Sequence, residues 1–290
     1  MEFDKLTKDC VFRYRFFNDN TLTEIRDGSI WHASLDSLND PYELPLIFDW
    51  SCFKGNDLPR KLTLINKQLM LFDPMDKLTS YLVNNKVQEA ANYMTQTIRI
   101  ALHKLEAEYR SSLVTCFSKE PLDALMWSHY ANGMRGICIA YDVEILQESD
   151  EFSLLYEVDY NDKVFPFTYS DFELKKQDQY MNSFVYNYAD KQEESLAKKQ
   201  LVIRNITHIF QKHTRWEYEK EVRNVLLAPN KKNSGKAVFI KKDAIKAIMY
   251  GSKIHPPNLH VLKRISEERG IPLYKASPKI DNFTVKVEPT

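Results

Sequence analysis

Apolar and polar positions alternate in VFRYRFF, Val11 to Phe17, and predict a strand. The run NDNTLTEIRDG that follows reads as an Asn or Thr cap, a short helix and a stop at Gly28. A second strand is expected around Ile30 to Ala33, leading into the turn residues Asn39, Asp40 and Pro41. From about Leu58 to Arg110 strong helix formers carry apolar positions three and four apart, broken near Asp73-Pro74, which predicts a helical insertion. Leu113 to Phe117 and Gly136 to Tyr141 have the β-branched and aromatic density of buried strands, with LDALMWSHYANG between them reading as a helix. Polar, Lys- and Glu-rich residues of helical period from about Asp171 to Thr214 predict a second insertion. Strands are then expected at Glu221 to Leu227, Ala237 to Ile240, Ala247 to Tyr250, Leu273 to Lys275 and Phe283 to Val287, with a helix near Asn258 to Arg269. The order of these elements predicts an α+β protein, one domain over residues 1–290 with helical insertions at about 58–110 and 171–214.

Composition narrows the classes. At 290 residues and 43% apolar the chain can bury a substantial core, and forty Lys plus Arg against forty Asp plus Glu leave no global basic field to attract nucleic acid or an anionic membrane. None of the seven glycines is spaced as in a dinucleotide-binding turn or a phosphate loop. Cys10, Cys52, Cys116 and Cys138 contain no Cys-x-x-Cys pair and read as free thiols of a cytoplasmic protein. The N-terminus, MEFDKLTKDC, has no signal-peptide pattern, and no apolar run reaches the ~20 residues of a spanning helix. His208 and His213 are five apart, a spacing that does not share a helical face, so no zinc site is expected.

Three segments could carry chemistry. In TRWEYEKEVRNVLL, a strand beginning early puts Glu219, Glu221 and Arg223 on one face, either as a self-neutralising solvated strand start or as a carboxylate pair facing a cleft. TCFSKEPLDALMWSHYANGMRGICIAYD gathers Ser118, Trp127, His129 and Tyr130 into one unit; Trp127 and Tyr130 share a helical face that serves the core or lines a pocket. In FRYRFF, Arg13 and Arg15 share one strand face, as an exposed pair or as a fork for a pyrophosphate. NDPYE, Asn39 to Glu43, reads mainly as turn chemistry with an added carboxylate. Asp171, Glu173 and Lys175 imitate the acidic and lysine set of a metal-dependent nuclease, and Lys198, Lys199, Lys212 and Arg215 read as a solvated helical face or a local groove for nucleic acid.

YR at Tyr14 and Arg15, NTL at Asn20 to Leu22, GSIWHAS at Gly28 to Ser34, NDPYE, TCFS with LMWSHYANGMRGICIAYD, and WEYEKEVR together resemble the bacterial family known as domain of unknown function 2971. The order of elements also resembles the ADP-ribosyltransferase fold of the Arg-Ser-Glu class, which implies a bent, mixed or antiparallel split sheet. That resemblance implies an NAD-dependent ADP-ribosyltransferase or NAD glycohydrolase acting as a bacterial toxin or phage-defence effector. Glu221 and Glu219 would be catalytic, while Arg15, Tyr14, Ser118, Trp127, His129 and Tyr130 would bind NAD, with Ser34 a rival to Ser118. The acceptor would be a protein or nucleic acid, an antitoxin could restrain the enzyme, and neither a metal nor a membrane would be needed. The alternatives are a metal-dependent nuclease toxin and a non-enzymatic partner-binding protein.

Overall fold

The computed structural model describes residues 3–53, 58–60, 76–152, 155–166, 207–226 and 235–290. The chain divides into two compact units, one formed by Met1–Glu43, Ser111–Asp162 and Phe210–Thr290, the other by Leu44–Arg110 and Lys163–Ile209.

The first unit opens with helix α1 (Phe3–Asp9), strand β1 (Cys10–Arg15), helix α2 (Asp19–Asp27) and strand β2 (Ser29–Ser34). β1 stops short of the expected Phe17 because the Asn18 side chain accepts the Thr21 amide at 2.9 Å and begins α2 as its cap. Gly28, at φ 66°, closes that helix in the left-handed conformation that glycine adopts without steric cost. β3 (Leu113–Ser118), α5 (Ala124–His129) and β4 (Ile137–Asp142) follow the expected strand, helix, strand unit; α3 (Asp76–Val83) and α4 (Val87–Arg110) belong to the second unit. Asp123 starts α5 by accepting the Met126 amide at 2.9 Å. Beyond β4 come α6 (Val143–Gln147), β5 (Leu155–Glu157), β6 (Asp159–Asn161), β7 (Gln211–His213), β8 (Glu221–Leu226), β9 (Gly235–Phe239), β10 (Ile245–Gly251), α7 (Pro256–Arg269), β11 (Leu273–Lys279) and β12 (Thr284–Pro289).

Among the described residues ten of these strands form one mixed sheet in the order β12-β11-β10-β4-β1-β3-β2-β9, with β8 paired to β3 and β5 to β8. β10 and β11 run parallel, and the other neighbours in this sheet are antiparallel. This is the expected α+β class with a mixed, largely antiparallel sheet. β3 pairs with β8 along its whole length, from Leu113–Leu226 to Ser118–Glu221. Its contact with β1 is the single pair Phe12–Ser118, so the sheet parts there.

Side-chain alternation along β1 divides the interior. Val11 joins one apolar cluster with Ile25, Ile137, Ile139 and Leu262, whereas Cys10, Phe12 and Tyr14 join another with Met126, Trp127 and Cys138. Gly136 admits no side chain, since a Cβ there would lie 2.3 Å from the Arg15 carbonyl oxygen. In the second unit α3 (Asp76–Val83) and α4 (Val87–Arg110) bury Leu78, Ala90, Met94 and Ile98 together with Phe48.

Of the expected second insertion, residues 171–206 lie outside the described residues, as do Asp171, Glu173, Lys175, Lys198 and Lys199. Its end is not helical in the way expected: Thr207–Phe210 is a 3₁₀ turn and Gln211–His213 is β7, paired in parallel with β6. Three-residue strands leave too little alternation to register against a helical pattern.

Candidate active site

A cavity of about 140 Å³ opens in the first unit where β1 and β3 part. Its walls include Phe12, Tyr14 and Met126 together with the charged side chains of Lys212, Glu219 and Glu221.

Glu219 and Glu221 are brought together differently from expectation. Glu221 starts β8 and shares a face with Arg223, but Glu219 ends the 3₁₀ turn Thr214–Glu219. Lys220 between them takes a left-handed φ of 40°, which interrupts the strand period and turns both carboxylates toward the cavity. The Ser118 hydroxyl donates to the Glu219 carbonyl at 2.6 Å and accepts the Glu120 amide at 2.9 Å, so this serine fastens the turn to β3.

Both carboxylates are buried and fully engaged. Lys212 Nζ donates to Glu219 Oε2 at 2.5 Å and to Glu221 Oε2 at 3.1 Å. Arg223 holds Glu221 through Nε at 2.7 Å and Nη2 at 3.1 Å. The same guanidinium donates through Nη1 and Nη2 to the two oxygens of Glu43, each at 2.7 Å. Tyr130 donates its hydroxyl to Glu219 Oε1 and accepts Asn39 Nδ2 at 2.7 Å. Three carboxylates therefore face two cations, and one negative charge is left over at the cavity.

The two glutamates are driven apart in acidity. Burial works against ionisation of Glu221, yet the neighbouring Arg223 and Lys212 outweigh it and hold that carboxyl at about 2. For Glu219 burial, reinforced by the charge of Glu221, outweighs Lys212 and raises the carboxyl above its ordinary value. Burial also raises Glu43. Burial alone would lower Lys212, but the two glutamates raise it, so it stays an ammonium. The Cys116 thiol, which also lines the cavity, is pushed up by burial and then by Glu221, and is no thiolate nucleophile.

The other expected site residues scatter. Tyr14 and Tyr130 line the cavity beside Ser118. Trp127 is completely buried, packs edge-on against Tyr14 at 5.4 Å and donates its indole N–H to the Pro121 carbonyl at 2.9 Å, so it is core and offers no open ring face. His129 is exposed and lies against the rings of Tyr130 and Tyr218. Arg15 is on the other face of β1 from Tyr14, where it joins Arg13 on the buried carboxylate of Glu24. Strand alternation makes this unavoidable: a strand presenting Phe12 and Tyr14 to the cavity must turn Arg13 and Arg15 away. Ser34 caps the turn after β2 by accepting the Asp36 amide.

Sequence reasoning missed Lys212, Asn39 and Glu43 as site residues. Lys212 is not a solvated helical lysine: its side chain is 3% exposed, it sits on β7, and its ammonium lies 4.7 Å from the centre of the Trp216 ring. An alternating QKH before a Glu-rich turn was its one available signal. Among the described residues no group of three or more His, Cys, Asp or Glu could hold a metal ion, and no helix is long and apolar enough to cross a membrane.

An α+β unit whose sheet parts over paired carboxylates is the setting in which the comparisons fall. Residues 126–224 match the family described as Protein of unknown function (DUF2971), which bears out that resemblance for the blocks from Met126 to Asp142 and from Trp216 to Arg223 and takes in Tyr130, Lys212, Glu219, Glu221 and Arg223. No curated protein and no solved structure matches the chain.

Proposed function

We propose that the cavity carries out glycosyl-bond chemistry on NAD, as ADP-ribosyl transfer to a protein or nucleic-acid acceptor or as NAD hydrolysis. The observation that carries this reading is the pair Glu219 and Glu221, neighbours through Lys212 yet pushed to opposite sides of ordinary carboxylate acidity. Such divergence assigns different tasks to two like groups.

Departure of neutral nicotinamide takes the electron pair of the C–N bond and leaves positive charge on the ribose. Glu221, ionised and held by Arg223, faces that charge and stabilises it more than the uncharged sugar. Glu219 accepts the proton of the attacking hydroxyl or water as the new bond forms to the ribose, and releases it afterwards. The surplus negative charge of the cluster acts in the same sense. The cavity fits one ring-sized group rather than a whole dinucleotide, so the nicotinamide-ribose end is the part placed there. Arg15, on the opposite face of β1, is given no pyrophosphate contact.

The ADP-ribosyltransferase fold belongs to the same proposal. It is supported by the parting of β1 from β3 and by the pairing of Ser118 with Glu221 on adjacent strands. The setting of a bacterial toxin or phage-defence effector, with or without an antitoxin, is proposed from the resemblance alone.

The test is nicotinamide release from NAD, with cell extract as a source of acceptor, by the wild type and by Glu221→Gln. Release by the wild type, lost at least 100-fold in a variant that melts like it, is the expected result. No release, and no shift of the wild-type melt by NAD, would sink the proposal.

A further inference from the structure

The loop Asn39–Glu43 touches both carboxylates of the pair, each through one intermediary. At its start Asn39 Nδ2 donates to Tyr130, which donates to Glu219. At its end Glu43 takes two hydrogen bonds from Arg223, which holds Glu221 through Nε and Nη2. The spacing between these ends is fixed locally: the Asp40 carboxylate accepts the Tyr42 amide at 2.9 Å, and the Asp40 carbonyl accepts the Glu43 amide at 3.2 Å. Pro41 removes one backbone rotation from the same segment. Leu38, Asn39 and Glu43 also line the cavity, so an occupant meets the loop directly.

We propose that Asn39 and Glu43 are positioning residues which, as the two ends of one stiff loop, set the orientation of Glu219 and Glu221 and the charges and donors that each of them meets. This rests on the proposed working role of that pair. Asn39 acts by polarising Tyr130: a hydroxyl that accepts a hydrogen bond donates more strongly, and a stronger donor favours ionised Glu219. Glu43 acts by sharing Arg223 and by adding the third negative charge, which disfavours ionised Glu219. The two ends therefore push Glu219 in opposite directions. The groups facing Glu219 are Tyr130 from α5, Lys212 from β7, Glu221 from β8 and Tyr218 from its own turn. Arg223, Lys212, Glu219, Glu43, Cys116 and Tyr160 surround Glu221.

The experiment is a carboxyl ¹³C NMR titration of protein labelled at glutamate, with the Glu219 signal assigned by its loss in Glu219→Gln. It needs no substrate, so its outcome is independent of nicotinamide release. Asn39→Leu should move the Glu219 midpoint up by about half a pH unit or more, and Tyr130→Phe should move it the same way. Glu43→Gln should move it down. A Glu219 midpoint unchanged in Asn39→Leu, or displaced in the same direction by Asn39→Leu and Glu43→Gln, overturns the proposal. Asn39 is exposed, so its arm decides the matter even if Glu43→Gln does not fold.

Discussion

On one face of β1, Arg13 and Arg15 close on the single carboxylate of Glu24, and Arg13 also donates to the Trp31 carbonyl at 2.9 Å. On the other face, beyond Phe12 and Tyr14, three carboxylates meet Lys212 and Arg223 at a cavity. The first cluster is surplus in cations, and burial followed by the nearby Arg13 lowers Arg15 below the ordinary arginine value. Its work is structural, tying α2 to β1. The second is surplus in anions and opens on a space where a positive charge could be received. Buried charge is thus not in itself a mark of chemistry; the sign of the remainder, and whether it borders a cavity, distinguish the two clusters.

The largest effect should come from Arg223→Met, which strands Glu43 and Glu221 without their shared cation. Removing one partner of a buried ion pair costs about 3–5 kcal/mol, read by urea denaturation. Adding Glu43→Gln to that variant should recover part of the loss, because one stranded charge disappears. Glu24→Gln should cost less, about 1–3 kcal/mol, since the arginines keep a polar partner and the Arg15 side chain, 26% exposed, can turn to water. A greater loss for Glu24→Gln than for Arg223→Met would break the comparison.

A further effect, read as a slope with pH rather than as a single loss, concerns a buried polar pair without charge. Asn224 Nδ2 donates to His32 Nε2 at 2.8 Å and His32 Nδ1 faces the Ile30 carbonyl at 3.3 Å, an arrangement that assigns the neutral ring with its proton on Nδ1. Burial and then Arg13 push His32 from 6.5 down to about 3. The folded protein then binds fewer protons than the unfolded chain between those values, so stability falls as pH drops from 6.5, by at most about 1.4 kcal/mol per unit from this group. His32→Gln should flatten the fall between pH 6.5 and 4.5. Below 4.5 Glu221 adds a loss of the same sign, present until about pH 2, and that part should persist in the variant.

Much of the framework could be read from the chain because it is locally encoded. β3 and β4 announced themselves through runs such as LVTCF and GICIAY, and α5 through its spacing. Glu219 and Glu221 stood out because acidic residues crowd a strand start, although the left-handed Lys220 that aims them leaves no sequence mark. Lys212 was hidden because its place depends on a three-residue parallel pairing with β6, and Glu43 because its partner is 180 positions away. Arg15 failed for the opposite reason: motif order suggested a role, and strand alternation decided the face.

The distances along the chain between these partners govern when the site comes into being. Glu43 meets Arg223 across 180 positions, Ser118 meets Glu219 across 101 and Tyr130 meets Glu219 across 89. Contacts of such separation form late, because a long loop must close before any of them is made. During synthesis the Asn39–Glu43 loop leaves the ribosome long before β8; Lys212 and Arg223 lie within nine positions of the glutamates, but until β8 docks on β3 Arg223 lacks Glu43, and Glu219 lacks Tyr130 and its tie to Ser118. The complete cluster of three carboxylates and two cations is therefore absent from a nascent chain and forms only when assembly of the first unit is nearly complete.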